Sequence, residues 1–168
     1  MTTAKFDLRI GPAGSGDAGA LRQILNEIIA IGGTTAFETP LTSAEFDDYF
    51  LRGPNCITCL MAQTRAGEAL GFQSLGRKAG LPDGWADIAT FTRREPRVPG
   101  VGAALFEATK RAARDLGLTA INATIRADNY AGIPFYEKMG FTTWSVAEGL
   151  PLRDGTPVDR VSKVYLLT

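Results

Sequence analysis

Two glycines one residue apart, in "REPRVPGVGAALFEATKRAARDLG" at positions 94–117, separate an apolar run from an amphipathic one. The run before them, "WADIATFT", reads as a strand. After them Val101, Ala104, Leu105, Ala108, Ala112 and Leu116 recur at helical spacing on one face, and Gly117 stands where a helix ends in a left-handed residue. A chain that passes this abruptly from strand to helix needs backbone free of side-chain constraint, which glycine supplies. The first-turn N–H groups of such a helix have no intrahelical acceptor, so the turn suits a phosphate or pyrophosphate. Arg97, just ahead of the glycines, adds a guanidinium able to pair two phosphate oxygens. Alternatively, Gly100 and Gly102 solve only the steric problem of the turn. A P-loop is excluded because no Lys-Ser or Lys-Thr follows Gly102, and a dinucleotide fingerprint because Leu105 occupies the place of its third glycine.

The rest of the chain supplies a sheet for this unit. "FDLRI" is a short alternating strand, and the turn-rich "GPAGSGDAGA" offers Asp17 as a helix cap. Leu21, Ile24, Leu25, Ile28 and Ile29 then mark the apolar face of a first helix, which "IGGTTAFETP" breaks. Thr42 with Glu45 has the form of a capping box and opens a second helix, "SAEFDDYFL", closed by Gly53 and Pro54. "CITCLMAQ" and "EALGFQSL" form a hairpin across "TRAG". Beyond the quoted helix, "AINATI" is a strand, "YAGIPFYEKM" a helix closed by Gly140, and "FTTWSVA" and "RVSKVYLL" the last strands. The order β, α, α, β, β, β, α, β, α, β, β predicts an α/β fold: a mixed, mostly antiparallel sheet of about seven strands flanked by four helices.

With 168 residues the chain reads as one domain, 1–168, large enough to bury about two-thirds of its unfolded surface. Its 18 basic and 18 acidic residues balance, giving no electrostatic reason to expect a nucleic acid or membrane partner, so a small-molecule ligand is expected. No signal-peptide pattern and no run of apolar residues long enough for a membrane span occurs, which reads as cytoplasmic. Cys56 and Cys59 have CxxC spacing, but the chain has no histidine and no third cysteine, so no metal site is expected. The strand-like surroundings argue for packed thiols rather than a redox pair.

Two motifs in the second half carry a resemblance. Arg97-Val98-Pro99-Gly100-Val101-Gly102 is similar to the R/Q-x-x-G-x-G/A turn of the GNAT (GCN5-related N-acetyltransferase) superfamily, and "NYAGIPFYEKMGF" resembles that superfamily's next motif. The stretch "LRQILNEIIAIGGTTAFETPLTSAEF" is similar to the phosphinothricin N-acetyltransferase-like branch, so the resemblance covers nearly the whole chain. It implies the GNAT fold and acetyl-CoA as cosubstrate, with no metal. It also implies that the pyrophosphate sits on the backbone of Val98, Gly100, Val101, Gly102 and Ala103 beside Arg97, and that the pantetheine arm runs along Thr90, Phe91 and Thr92 like an added strand. Pro99 departs from the commoner glycine, lysine or arginine and has no N–H to offer. Asn129 matches the asparagine near the pantetheine and also suits a helix cap.

Acetyl transfer to an amine poses two proton problems: the ammonium must lose one before attack, and the departing thiolate gains from receiving one. A base and an acid on opposite sides of the reacting carbon answer them. Tyr136 matches the superfamily's tyrosine acid, and Asp87 stands where the branch carries a glutamate base. A carboxylate within apolar "WADIATF" is expected to be buried and weakened as an acid. Aspartate is one methylene shorter than glutamate, so it acts through a water or on an acceptor held closer to the strand. Glu38 is the competing carboxylate. Phe37 is expected to line the acceptor pocket, and Arg77 and Lys78 either pair with an acceptor carboxylate or remain solvated loop charges.

The resemblance thus implies direct acetyl transfer to the amine of a small amino acid or analogue, such as phosphinothricin or methionine sulfoximine, by a homodimeric enzyme. Neither cysteine lies on an element expected to form the site, which favours direct attack. The alternatives are a protein N-terminus, lysine, polyamine or aminoglycoside as acceptor, or a non-catalytic acyl-CoA-binding domain.

Overall fold

A computed structural model describes residues 7–168. Along the chain run β1 (Arg9–Pro12), α1 (Ala18–Ile31), α2 (Ser43–Phe46), β2 (Cys56–Gln63), β3 (Ala69–Gly76) and β4 (Trp85–Thr92). They are followed by α3 (Val101–Asp115), β5 (Ala120–Arg126), α4 (Gly132–Met139), β6 (Thr142–Pro151) and β7 (Pro157–Leu166). The strands form one sheet in the order β1-β2-β3-β4-β5-β7-β6. All neighbours are antiparallel except β4 and β5.

Strand alternation divides the apolar residues between two layers. Cys59, Met61, Phe72 and Phe91 face α1 and α2, meeting Leu21, Leu25, Ile28, Phe46 and Phe50. An aromatic stack anchors this layer: the Phe50 ring lies 5.3 Å from Phe72 and 5.9 Å from Phe91, both edge-on. Replacing a ring as fully buried as Phe72 by alanine costs about 3–5 kcal/mol. On the other face Leu75, Ala86, Ile88, Ile121 and Ile125 pack against Phe106 of α3 and Tyr136 of α4, while Leu60, Ala62 and Leu70 meet Val101 and Leu105.

The Thr42–Glu45 box forms in both directions, at 3.2 and 3.0 Å, and α2 continues as a π turn over Asp47–Leu51. Asp17 makes no side-chain cap to α1; its carboxylate accepts the Gly14 N–H at 2.8 Å, closing the short turn before the helix. β1 lies later than "FDLRI", whose Phe6 is outside the described residues. On α3 the buried set is Val101, Leu105, Phe106, Thr109 and Ala113, and Leu116 is 57% exposed. The helix is rotated from the expected alanine stripe because Phe106 inserts between Phe141 and Tyr165, each 5.3 Å away. α4 begins at Gly132 rather than Tyr130.

The largest departure is at the C-terminal end. Residues 148–158, which lie between the strands "FTTWSVA" and "RVSKVYLL" read from the sequence, extend β6 and β7 into a long hairpin arm in which Pro151 opposes Pro157. Proline cannot donate to a ladder but is tolerated at strand ends and sheet edges, and β6 is the edge strand. Cys56 and Cys59 are free thiols on β2; a bulge between Cys56 and Thr58 breaks the alternation, Cys56 Sγ donates to the Asp48 and Tyr49 carbonyls while Cys59 packs in the layer of Phe46 and Phe50, and burial pushes Cys59 up to about 12.

Candidate active site

The parallel ladder between β4 and β5 is three pairs long: Trp85 with Ala120, Ala86 with Ile121, and Asp87 with Asn122. After that last pair the strands part. Residues 88–92 remain paired only with β3, and residues 123–126 only with β7. The inner edge of β4 therefore presents unpaired backbone groups to a cleft of about 1020 Å³. An extended chain with amide groups can add there as a strand would.

At one end of the cleft lies the glycine turn. Gly100 has φ of 85°, a left-handed conformation that other residues adopt only under strain. At Gly102 the constraint is space: a Cβ would meet the Phe135 ring at 2.9 Å. The first intrahelical bond is Ala104 N–H to the Gly100 carbonyl, 3.0 Å, so the N–H groups of Val101, Gly102 and Ala103 precede the ladder and line the opening. Arg93, Arg94 and Arg97 also line it, with Arg93 engaged by the Glu68 carboxylate and the Glu95 carbonyl. Open donors, a close backbone and nearby guanidinium groups fit a pyrophosphate. Thr90, Phe91, Thr92, Val98 and Asn129 border the same cleft. The Asn129 amide is already committed, its Oδ1 accepting from Gly132 N–H at 2.8 Å and its Nδ2 donating to the Thr34 carbonyl at 3.0 Å. It caps α4 while tying that helix to the loop after α1.

Asp87 and Tyr136 stand on opposite faces of the sheet. Ala86, Ile88 and Thr90 point toward α3 and α4, and Thr90 Oγ1 meets Tyr136 Oη at 2.9 Å. Asp87, like Ala89 and Phe91, points toward α1 and α2. The parting of β4 and β5 connects the two sides. Burial raises the Asp87 pKa; Lys78, 4.0 Å away, and a hydrogen bond from Asn122 oppose the rise. Burial also raises the Tyr136 pKa, keeping the phenol protonated at neutral pH, and the Asp87 charge adds to that effect.

The acceptor side, on the α1 and α2 face, is lined by Phe37, Tyr49, Lys78, Arg126 and Arg160. Lys78 Nζ donates to Thr124 Oγ1 at 2.9 Å, and this contact holds the ammonium beside Asp87. Arg77 borders the cleft and is bonded to the Pro54 carbonyl at 3.2 Å. The Glu38 carboxylate faces elsewhere: both oxygens accept the Arg153 N–H at 3.0 Å, joining the loop after α1 to the tip of the hairpin arm. Sequence reasoning passed over Asn122, Gln73, Arg126 and Trp144. Asn122 and Gln73 are fully buried polar residues inside "AINATI" and "LGFQSL", and that was the available signal. Among the described residues no cluster of three His, Cys, Asp or Glu side chains stands close enough to hold a metal, and no helix is long and apolar enough to cross a membrane.

Residues 22–141 match the sequence pattern of the Acetyltransferase (GNAT) family. Among solved structures, one of a candidate phosphinothricin N-acetyltransferase superposes with a TM-score of 0.83 at 25% identity, covering 96% of this chain and 99% of that one. A ribosomal-protein-alanine N-acetyltransferase from Brucella melitensis gives a TM-score of 0.83 at 21% identity over 94% and 99% of the two chains. A candidate acetyltransferase from Salmonella typhimurium, solved with its cofactor acetyl-CoA, gives 0.81 at 18% over 96% and 95%. No curated protein matches the chain in sequence.

Proposed function

Because the chain belongs to the Acetyltransferase (GNAT) family, and is therefore an N-acetyltransferase using acetyl-CoA, we propose that it acetylates the amine of a small amino acid or analogue of the phosphinothricin or methionine sulfoximine type by direct transfer. The observation that carries this reading is the charge of the acceptor side, where Arg77, Lys78 and Arg160 line the cleft with Asp87 as the acidic group among the lining residues, while Arg126, also in the lining, is paired with Asp128 at 2.7 Å. Such a lining attracts an acceptor that carries a carboxylate and repels polyamines and aminoglycosides. The likeness to the candidate phosphinothricin enzyme points the same way.

Acetyl-CoA, when bound, supplies a thioester carbonyl carbon open to attack. The open N–H groups of Val101, Gly102 and Ala103 with Arg97 hold its pyrophosphate, and the free edge of β4 at Thr90, Phe91 and Thr92 aligns its arm. Asp87, made a stronger base by burial, takes a proton from the acceptor ammonium. As the C–N bond forms and the C–S bond breaks, Tyr136 delivers its phenolic proton to the sulfur from the other face of the sheet, and the second proton lost by the nitrogen restores the phenol. Lys78, beside Asp87, pairs with the acceptor carboxylate.

We also place a second copy of the chain against the edge strand β6, where Val146 and Leu150 are 50% and 41% exposed. An uncovered apolar edge strand is a liability that homodimerisation removes.

Comparing an accepted amino acid with its carboxamide tests the acceptor reading. The carboxylate form is expected to have a KM at least about tenfold lower, the effect of one charge-assisted pair. Equal KM values would contradict it.

A further inference from the structure

A hydrogen-bond chain runs from the edge strand, through the fully buried Asn122, to Asp87. β6 carries one extra residue against β7 between Thr143 and Ser145, so Trp144 sits on a bulge. Bulges re-aim side chains, and here the indole reaches past β7 to β5. Trp144 Nε1 lies 2.8 Å from Asn122 Oδ1. An indole N–H can only donate, which fixes the Asn122 amide with its oxygen toward Trp144. Its nitrogen then donates to Asp87 Oδ1 at 2.7 Å and to Thr124 Oγ1 at 3.0 Å, using both hydrogens. Turning the amide over would break the contacts to Trp144 and Asp87 and set an oxygen against the carboxylate. Asn122 is fully buried, so water cannot replace them.

We propose that Asn122, locked by Trp144, is the positioning residue of Asp87: it binds Oδ1 and leaves Oδ2, on the Lys78 side, to receive the acceptor proton. This rests on the reading of Asp87 as the base. The charged and titratable groups around that carboxylate are Lys78 from the connection after β3 and Tyr136 from α4, while β5 contributes the neutral Asn122 and Thr124. Asn122 and Lys78 favour the ionised carboxylate against the burial that disfavours it. Losing the Asn122 donor therefore moves protonation of Asp87 to higher pH.

The test is the pH profile of kcat/KM for the acceptor, measured with the KM for acetyl-CoA, in the wild type, Trp144→Phe, Asn122→Asp and Asp87→Ala. Trp144→Phe keeps a ring against Trp85 on an exposed strand, so the fold is retained. It is expected to move the acid limb up by about one pH unit, and Asn122→Asp, which sets a second carboxylate beside the first, by more. The KM for acetyl-CoA should stay within about twofold, since the turn at Gly100 is untouched. Acid limbs at the wild-type position in both variants, with Asp87→Ala inactive, would overturn the positioning role while leaving the base in place. Turnover retained by Asp87→Ala would overturn the base itself and the inference with it.

Discussion

Tyr136 Oη lies 2.9 Å from Thr90 Oγ1, across the space between α4 and β4, and that same oxygen of Thr90 accepts a hydrogen bond from Gln73 Nε2 at 2.9 Å. With Gln73 donating, Thr90 is free to turn its own hydrogen toward the phenolic oxygen. The phenolic hydrogen is then available to a sulfur in the cleft. Tyr136→Phe keeps the ring among Phe135 and Phe141 and removes only that proton. It is expected to lower kcat about 10²-fold or more with little change in either KM. A kcat within about threefold of the wild type would remove Tyr136 from the proposed acid role.

Thr90→Val keeps the shape and deletes the hydroxyl. It leaves the Gln73 amide and the Tyr136 phenol without their shared partner, and Gln73 Oε1 is already buried without one. The expected loss of stability is about 1–3 kcal/mol, readable as a lower denaturation midpoint. An unchanged midpoint would show that water reaches the pair.

For Asp87 the sign of the pH effect follows from burial. Its pKa in the folded chain is above the ordinary carboxylate value, so its contribution to stability is greatest at low pH, where the folded and unfolded chains both carry it protonated, and is lost as pH rises through the folded pKa. Asp87→Asn is therefore expected to abolish turnover while raising the Tm at pH 7–8, and the gain should vanish as pH falls toward about 4. A lower Tm at neutral pH would mean that Lys78 and Asn122 outweigh the burial.

Part of this was legible in the chain alone. β2 and β4 occupy the expected "CITCLMAQ" and "WADIATFT", and α3 opens at Val101, because apolar runs bounded by glycine and proline leave little choice of boundary. Asp87 stood out as a carboxylate in an apolar strand. Asn122 did not, because its meaning comes from being the register partner of Asp87 and from an indole on β6, contacts separated by 35 and 22 residues. The hairpin arm was hidden by Pro151 and Pro157, which mark loops in most contexts and here pair at a sheet edge. Glu38 read as a site carboxylate because nothing local reveals its bonds to Arg153.

The two turn glycines should fail differently. Gly100→Ala forces a side chain into a left-handed conformation at a cost of about 1–2 kcal/mol. Gly102→Ala drives a methyl into the Phe135 ring and displaces the first turn of α3. It is expected to raise the KM for acetyl-CoA at least about tenfold, as misaligned N–H groups lose the pyrophosphate. An unchanged KM would show that the turn does not hold the phosphates.

The most direct test of the whole account is release of the CoA thiol from acetyl-CoA across free amino acids, phosphinothricin, methionine sulfoximine, polyamines and a peptide N-terminus, against a blank without acceptor. The account predicts turnover with one or more small amino acids or their analogues, and none with polyamines. Turnover confined to the polyamines or the peptide would contradict it.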